Sequence, residues 1–301
     1  MSLASAVGAA AGDDARFAPG AGAALYFSRD NEGFAAQRAG VEYLPRFAHG
    51  NSLTGVRYTA HRFDRGDWSR NGQHLSLLHR DVDPATADGW QLDAGLFRQG
   101  GHDLLTADGN YRAALRGRTA LELFVNREWV ETTSALDRGV HFTYAGGGVE
   151  QGLGPHVTVV GLAGHQSFSD ANYRNHGRIR LIVQPDLDLG LTLQARYRVY
   201  TSASDDVGGA YFNPRRYDET MLAIGWRQRF LGWTGRLTAG AGRQHVADNP
   251  GTPTRVLEIV VQSPPRHAYS VGLRGGLNQS ASFNGPDYRY HYVQGELIIG
   301  L

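Results

Sequence analysis

The sequence contains no cysteine, no lysine and no long hydrophobic run. Without cysteine there can be no disulfide, no thiolate metal site and no thiol nucleophile. Without lysine there can be no P-loop lysine and no Schiff base, which excludes two large groups of enzymes. No apolar segment approaches the ~18 to 20 residues that a membrane-spanning helix requires. A membrane protein with this sequence must therefore cross the bilayer as strands.

The remaining composition fits one large β domain. The chain has 301 residues, 40 glycines, 11 prolines and a net charge of +1. Its 30 basic residues are all arginine, and they are balanced by 29 acidic residues. Because the arginines are spread along the chain and form no basic patch, we expect no nucleic-acid partner. We also expect no cofactor.

The first residues do not have the pattern of a secretory signal. The opening MSLASAVGAAAGDD has small apolar residues but no basic segment before them. We expect residues 1–19 to be an unstructured leader or a remnant of truncation. Residues 20–301 are then expected to form an outer-membrane barrel.

Polar and apolar residues alternate along many short segments. In LTLQARYRVY, at Leu191–Tyr200, an extended backbone places every apolar residue on one face and Arg196 and Arg198 on the other. A lipid-facing arginine near the bilayer midplane costs roughly 2 to 4 kcal/mol, so both arginines should face an aqueous interior. A soluble sandwich also alternates, but about sixteen such strands without a repeat of ~40 to 50 residues argue against one.

From Pro155 onward the connections alternate between long and short. The long connections are SDANYRNHG, SASDDVGGAYFNPRR, ADNPGTPT and QSASFNGPDYR, and the short ones are PDLD, LGW and SPPRH. Outer-membrane barrels have long extracellular loops and short periplasmic turns in this order, whereas a propeller or a sandwich does not require it.

Aromatic residues lie where the two membrane interfaces would be. Trp226, Phe230 and Trp233 flank one short turn, Trp90 begins a strand from the same side, and Trp129 lies near the opposite end of its strand. Aromatic girdles are the expected interpretation, and ordinary core aromatics are the alternative. Together these patterns predict an all-β fold, a transmembrane, antiparallel, up-and-down β-barrel of about 16 strands that contacts lipid in the outer membrane of a Gram-negative bacterium.

Two stretches of the second half resemble a known family. HQSFSDANYRNHGRIRLIVQP begins at His165, and YRVYTSASDDVGGAYFNPRRYDETMLAIGW begins at Tyr197. Their FSD at Phe168–Asp170 and YFNP at Tyr211–Pro214 resemble the C-terminal barrel of exopolysaccharide exporters, chiefly the poly-β-1,6-N-acetylglucosamine exporter, with the cellulose exporter as a relative. In the first half the resemblance rests on strand rhythm and on RDNEGF at Arg29–Phe34.

The resemblance implies a sixteen-stranded pore that passes an exopolysaccharide from the periplasm to the cell surface. The implied polymer is poly-N-acetylglucosamine or a similar biofilm polymer. The resemblance also implies two partners, a periplasmic domain of tetratricopeptide repeats and an inner-membrane synthase. Few residues precede the first expected strand, so either the barrel has been excised from its repeats, which is the interpretation we favour, or it is a shorter relative without them. The chain ends in Leu301, where barrel proteins commonly have an aromatic residue.

The lumen of such a pore should carry polar groups for hydroxyls, aromatic faces for sugar rings and charges matched to the polymer. The residues expected along this path are Arg57, His74, Asp93, Glu122, Arg178, Arg180, Arg196, Arg198, Glu258, Arg274, Tyr292 and Glu296. The acids favour a cationic, partly deacetylated polymer, and the arginines favour an acidic one. Alternatively, opposite charges pair across neighbouring strands and only stabilise the barrel.

The connection from Ser202 to Arg216 is too aromatic for a solvated loop. We expect it to fold over or into the extracellular mouth and to narrow it, with packing against neighbouring loops as the alternative. The residues assigned to this constriction are Asp205, Asp206, Tyr211, Phe212, Asn213, Arg215 and Arg216. Two adjacent acids, Asp205 and Asp206, do not by themselves define a calcium site, so no metal site is assigned.

Three other classes of protein share parts of this pattern. Outer-membrane enzymes that act on lipids carry a serine and a histidine, but the sequence has no G-x-S-x-G and no H-E-x-x-H, so we expect no catalysis. A general diffusion porin or a phage-receptor-type barrel has the same fold, and only the two motif stretches argue against it. A soluble β protein would not require detergent for extraction.

Overall fold

Sixteen antiparallel strands close into one barrel in the computed structural model, which describes residues 17–247, 249–266 and 268–301. The strands are β1 (Ala18–Asp30), β2 (Ala35–His49), β3 (Ser52–Arg65), β4 (Trp68–Val82), β5 (Gly89–Gln99), β6 (His102–Ala114), β7 (Thr119–Trp129), β8 (His141–Gly152), β9 (Val157–Phe168), β10 (Tyr173–Val183), β11 (Leu191–Ser202), β12 (Arg216–Phe230), β13 (Trp233–Val246), β14 (Thr252–Gln262), β15 (Tyr269–Gln279) and β16 (Arg289–Gly300). A short helix, α1 (Thr133–Arg138), follows β7. The predicted barrel of about 16 strands is confirmed, and its first strand begins two residues before the expected boundary.

Each strand pairs with the next along the chain, and β1 pairs with β16 from Gly20 opposite Gly300 to Asp30 opposite Tyr290. This closure leaves no sheet edge unpaired. The connections that follow odd-numbered strands lie at one end of the barrel, which we call the loop end. The other connections lie at the turn end. The longest connections, 130–140, 203–215 and 280–288, are all at the loop end, which makes it the extracellular end.

The predicted alternation of long and short connections is wrong at two steps. The connection from Val246 to Thr252 is shorter than the one from Gln262 to Tyr269, although the pattern predicts the reverse. The connection between β9 and β10 spans only residues 169–172, whereas the following turn spans residues 184–190. The residues at 173–177, which the sequence pattern assigned to a long loop, belong to β10. Arg174 is buried in the barrel interior, and His176 lies on the same face. A strand with polar residues on its inner face therefore resembles a loop in composition.

The outside of the barrel is apolar because every second side chain of each strand points outward. Leu77, Leu105 and Leu222 are 65%, 70% and 68% exposed, and they belong to a large set of exposed hydrophobic residues. Trp90 and Trp226 are exposed near the turn end, where an aromatic girdle is expected. None of the helices in the described ranges has the length and hydropathy to cross a membrane. The barrel fold and its apolar exterior place the chain in the outer membrane of a Gram-negative bacterium.

Trp129 is not a girdle residue, so this part of the aromatic prediction is wrong. Its side chain is only 4% exposed, and it packs inside the barrel with Phe97 and Leu104. The two rings of Trp129 and Phe97 meet edge to face with centroids 6.4 Å apart. Pairing between β6 and β7 ends at Ala107 and Arg127, whereas β7 stays paired with β8 as far as Trp129 opposite His141, so the end of β7 is held on one side only.

Buried apolar side chains form clusters near the two ends of the barrel. The cluster at the turn end consists of Leu44, Phe47, Leu53, Leu78 and Ile298. The three clusters at the loop end consist of Phe34, Ala36, Phe63, Phe97, Leu104, Trp129 and Leu136, of Val130, Ala135, Val140, Phe142, Phe168, Ala210 and Tyr211, and of Tyr200, Tyr217 and Ala281. The polar lumen lies between these levels, and the candidate site is found there.

Candidate functional site

All twelve residues that the sequence assigned to the substrate path lie on the inner face of the barrel. Arg57, His74, Asp93 and Arg274 line one cavity of about 490 Å³. Glu122, Arg178, Arg180, Arg196 and Arg198 line another of about 390 Å³. Glu258, Tyr292 and Glu296 are hydrogen-bonded to one another or to residues of these cavities. Their inward orientation follows from the two-residue period of the strands, and their role in transport stays a prediction.

The wall formed by β16 and β1 to β5 holds a network of paired charges, which we call the acidic wall. Arg57 donates to Glu42 at 2.7 Å, to Asp93 at 3.1 Å and to Glu296 at 2.9 Å. Arg80 donates to both carboxylate oxygens of Glu296, at 2.9 and 2.8 Å. The side chain of Glu42 has no exposed surface. The carboxylates of this wall therefore have arginine partners, as the stabilising alternative predicted.

The opposite wall, formed by β10 and β11, carries four arginines in a block. The register places Arg178 directly opposite Arg198 and Arg180 directly opposite Arg196. Arg198 forms an ion pair with Glu219 at 3.2 Å, and Arg196 donates only to an uncharged amide oxygen. Within the described residues, Arg178 and Arg180 have no hydrogen-bond or ion-pair partner. This wall therefore presents cationic groups to the water of the lumen.

Five aromatic rings on β7, β8, β10, β11 and β12 form a continuous arc across the inner wall near the loop end. Its members, in order, are Phe124, Tyr144, His176, Tyr200 and Tyr217, and the successive ring centroids are 4.9, 4.8, 5.2 and 4.9 Å apart. The first four line a cavity of about 550 Å³. We call this set the aromatic arc. Tyr200 is only 8% exposed and Tyr217 is fully buried, whereas Phe124, Tyr144 and His176 are partly exposed and provide a surface on which a planar or puckered ring can pack.

A glycine on the intervening strand β9 allows the aromatic arc to be continuous. A Cβ atom at Gly164 would lie 2.6 Å from the ring of Tyr144, so a larger residue would separate β8 from β10 at this level. Amide groups of Asn110, Asn126 and Gln166 line the same cavity. In the described part of the chain, the hydroxyl of Tyr144 and the Oδ1 atom of Asn110 have no hydrogen-bond partner. Both atoms are buried from solvent, so the cavity combines ring surfaces with the amide groups that line it.

The connection at 203–215 enters the mouth of the barrel beside the aromatic arc. Tyr211 stacks on Phe168, with ring centroids 4.7 Å apart and an interplanar angle of 16°. Arg174 donates to the side chain of Asn213 at 2.7 Å and to the carbonyl oxygen of Phe212 at 2.5 Å. The FSD and YFNP motifs therefore meet at this point.

Neighbouring loops hold this connection in place. Thr132, the N-cap residue of α1, donates from its hydroxyl to the carbonyl oxygen of Ala210 at 2.5 Å. The backbone N–H of Phe212 donates to the carbonyl oxygen of Phe283 at 2.6 Å. Burial raises the pKa of the Tyr211 phenol above its ordinary value. Three loops of the extracellular end thus contribute to one packed mouth.

Four of the seven residues assigned to the constriction do not face the mouth. Asp205 and Arg215 form an ion pair at 3.1 Å, and both are mostly exposed. Asp206 accepts a backbone hydrogen bond within its own turn. Arg216 is the first residue of β12, and it points outward because the next residue, Tyr217, is fully buried in the interior. Among the described residues, no group of three or more histidine, aspartate or glutamate side chains is placed to hold a metal ion.

Several lumen residues were missed from the sequence. Glu42 lies at an alternating polar position between Val41 and Tyr43, so the two-residue period could have revealed it. Arg174 has the same period as Arg178 but was assigned to a loop. The contact between Arg80 and Glu296 depends on the pairing of five strands, and no local signal reports it.

The chain is similar to solved outer-membrane barrels. A bacterial polysaccharide outer-membrane secretin superposes with a TM-score of 0.67 at 11% identity, over 94% of this chain and 98% of the other. OccAB3 of Acinetobacter baumannii gives a TM-score of 0.43 at 9% identity, over 95% and 100% of the two chains. OpdQ of Pseudomonas aeruginosa gives 0.41 at 11% identity, over 95% and 98%. No family model matches the chain, and no curated protein matches it. At this level of identity the similarity shows an outer-membrane barrel fold.

Proposed function

We propose that this barrel exports an exopolysaccharide from the periplasm to the cell surface through its lumen. The observation that carries the proposal is the aromatic arc with its neighbouring amide groups. A sugar ring has apolar C–H faces that pack on aromatic rings and hydroxyls that bond to amide and phenol groups. Asn110 and Asn126 line the same cavity as the rings and offer amide groups to such hydroxyls.

Transport requires many contacts that are individually weak. A pore conducts only if its sites bind well enough to admit the cargo and weakly enough to release it. The aromatic arc lies on the lumen wall and lines an open cavity, so a sugar packed on it stays in contact with water. A chain of sugars can then move from one ring to the next without entering a deep pocket.

The meeting of the two motif stretches also supports an exporter. Phe168, Tyr211 and Asn213, which carry the resemblance, build the extracellular mouth together with Arg174. The solved barrel with a TM-score of 0.67 is described as a polysaccharide secretin, which supports the same proposal. We propose poly-N-acetylglucosamine or another biofilm polymer as the cargo. The proposed partners are a periplasmic repeat domain and an inner-membrane synthase, with lipid around the barrel.

A general diffusion porin is the competing function, and removing rings from the aromatic arc separates the two. The variants are Tyr144→Ala and Tyr200→Ala, and the assay is block of single-channel current by N-acetylglucosamine hexamer in planar bilayers. Each ring contributes about 0.5 to 1.5 kcal/mol of stacking, so the blocking concentration should rise roughly two- to tenfold per ring. A porin without a sugar path would show the same block in all variants, or none.

The matched control is Tyr197→Ala. Tyr197 lies on β11 like Tyr200, but it points outward and is 39% exposed on the lipid face. Its removal should leave the block by the hexamer unchanged. Block of the current by amino acids or by neutral salts should not differ among the three variants, because these solutes have no sugar ring that could pack on an aromatic ring.

A further inference from the structure

The charge of the polymer is a separate question from its export. We infer that the cargo is an acidic polysaccharide, one that carries carboxylate groups, and that it binds along a row of arginines without acidic partners. These residues are Arg178, Arg180 and Arg196 at mid-lumen and Arg227 and Arg236 toward the turn end, and we call them the arginine track. The inference rests on the proposed export function and narrows its cargo to an acidic biofilm polymer, in place of poly-N-acetylglucosamine, which is neutral or, when deacetylated, cationic.

The mid-lumen part of the track has a geometry that stability alone does not favour. Arg178 lies directly across from Arg198, and Arg180 directly across from Arg196. Like charges opposite each other on neighbouring strands destabilise a sheet. Of these four residues, only Arg198 has an ion pair with a carboxylate in the described part of the chain. A barrel that used these arginines for stability would pair them with acids.

The same arrangement occurs again toward the turn end. Arg227 on β12 lies directly across from Arg236 on β13, and both side chains are exposed on the inner face. Neither has an ion-pair partner among the residues that the structure describes. Met221 lies opposite Arg196, and Arg227 follows it by six residues, which is ~20 Å along the strand. The track therefore consists of two groups of arginines, one at mid-lumen and one ~20 Å away toward the periplasmic entrance.

Of the three acids that face this region, two already have an arginine partner, and the one unpaired carboxylate is outnumbered by the three arginines of the mid-lumen track. Glu219 holds Arg198 at 3.2 Å, and Glu258 accepts from Arg274 at 2.8 Å. Glu122 lines the same cavity as Arg178 but forms no ion pair with any described residue. The acidic wall around β3 is eight strands away from β11 in a ring of sixteen, so it lies across the lumen. The positive charge of the track is therefore left for a ligand.

Guanidinium groups select carboxylates by shape as well as by charge. The planar fork of arginine donates two parallel hydrogen bonds to one carboxylate. Within a channel whose walls have low dielectric constant, charges of one sign also attract and concentrate counter-charged ligands. Arg178 and Arg180 lie on the same face of β10, ~7 Å apart along the strand. The carboxylate of one acidic sugar can therefore pass from the first arginine to the second as the polymer moves. A neutral polymer gains nothing from this row, and a cationic polymer is repelled by it.

The test is calorimetric binding of three hexamers to the detergent-solubilised barrel. They are oligogalacturonate, which is anionic, N-acetylglucosamine hexamer, which is neutral, and glucosamine hexamer, which is cationic. We expect oligogalacturonate to bind most tightly and its affinity to fall with added salt, since exposed charges are screened. Replacing Arg178, Arg180 and Arg196 together by glutamine should weaken its binding about tenfold or more and leave the neutral hexamer unchanged.

Two controls separate charge from structure. Lysine at the same three positions keeps the charge but not the fork, so binding of the anionic hexamer should be intermediate. Arg243→Gln on the outer face of β13 should have no effect, because that side chain points away from the lumen. If the triple glutamine variant does not fold, Arg178→Gln alone gives the same comparison with a smaller shift, because this side chain has no hydrogen bond or ion pair to lose.

The outcomes distinguish this inference from the export function. If the neutral or the cationic hexamer binds as tightly as the anionic one, the acidic cargo is wrong and export still stands. If no hexamer binds to the folded barrel, the export function is wrong, and the acidic cargo is wrong with it. If the wild type and the glutamine variant bind oligogalacturonate with equal affinity, the arginine track does not bind the polymer and the inference is wrong.

Discussion

Replacing Arg57 by methionine would remove the centre of the acidic wall. The guanidinium group bonds to Glu42, Asp93 and Glu296, and its side chain is only 16% exposed. Breaking a buried ion pair by removing one partner costs about 3 to 5 kcal/mol, whereas an exposed pair contributes at most about 1 kcal/mol. Because the side chain of Glu42 has no exposed surface, we expect the buried case to apply and a loss of about 3 kcal/mol.

The assay is urea unfolding of the barrel in lipid vesicles, followed by tryptophan fluorescence and by the mobility of unboiled samples on gels. Adding Glu42→Gln to Arg57→Met should restore more than about 1 kcal/mol, since the stranded charge is then removed. Arg62→Met is the control on the same strand. Arg62 pairs with Asp64 on the exposed surface, so its loss should leave the unfolding midpoint unchanged.

Two results together would contradict a buried charge network: a decrease of less than about 1 kcal/mol in the free energy of unfolding for Arg57→Met, and no recovery of stability when Glu42→Gln is added. Those results would mean that water solvates the carboxylates of the acidic wall about as well as the guanidinium group of Arg57 does. The wall would then be a hydrated surface like the arginine track, and stability would have to come from the apolar clusters at the two ends.

Three further predictions concern the extracellular mouth. Deleting Gly208–Pro214 should raise single-channel conductance, and an unchanged current would rule out the constriction. Thr132→Val removes the N-cap of α1 and the hydrogen bond to Ala210, which together contribute about 1 to 2 kcal/mol. The mouth should then open briefly more often, which appears as increased noise in the open-channel current. Identical current noise in the variant and the wild type would contradict this. Burial raises the pKa of Tyr211 above the usual ~10, so the folded mouth favours the neutral phenol. The neutral phenol stabilises the folded mouth fully below pH ~10, and this stabilisation is lost as the pH rises through the raised pKa. The conductance of the wild type should therefore rise at alkaline pH, while that of Tyr211→Phe should not change. Parallel conductance curves for the two proteins would contradict this.

The fold could be predicted because the hydrophobic period of a barrel strand is local. Arg196 and Arg198 alternate with apolar residues, and lipid tolerates an arginine too poorly for either to face outward. The same rule placed all twelve expected residues on the inner face. It failed at Arg174 and His176, because the inner face of β10 is polar and its composition matches that of a loop.

The partners within the lumen could not be predicted because they depend on strand register around the whole barrel. Arg57 and Glu296 are 239 positions apart and meet only because β1 and β2 connect β16 to β3. Tyr144 and His176 meet across β9 only because Gly164 lies between them. Hydrophobic alternation along a strand does not predict which strands close the barrel or where a single glycine lets two side chains meet across a strand.

A buried charge in this lumen requires a partner of opposite charge, whereas a charge exposed to water does not. The fully buried carboxylate of Glu42 has an arginine partner, because a bare charge without water or a counter-ion is expensive. Arg178 and Arg180 are exposed to the lumen and have no such partner within the described residues, and hydration makes this tolerable. Facing lipid, each would cost roughly 2 to 4 kcal/mol. Because water alone solvates the track, its residues can change with little effect on the barrel, so a single fold can accommodate cargo of different charge.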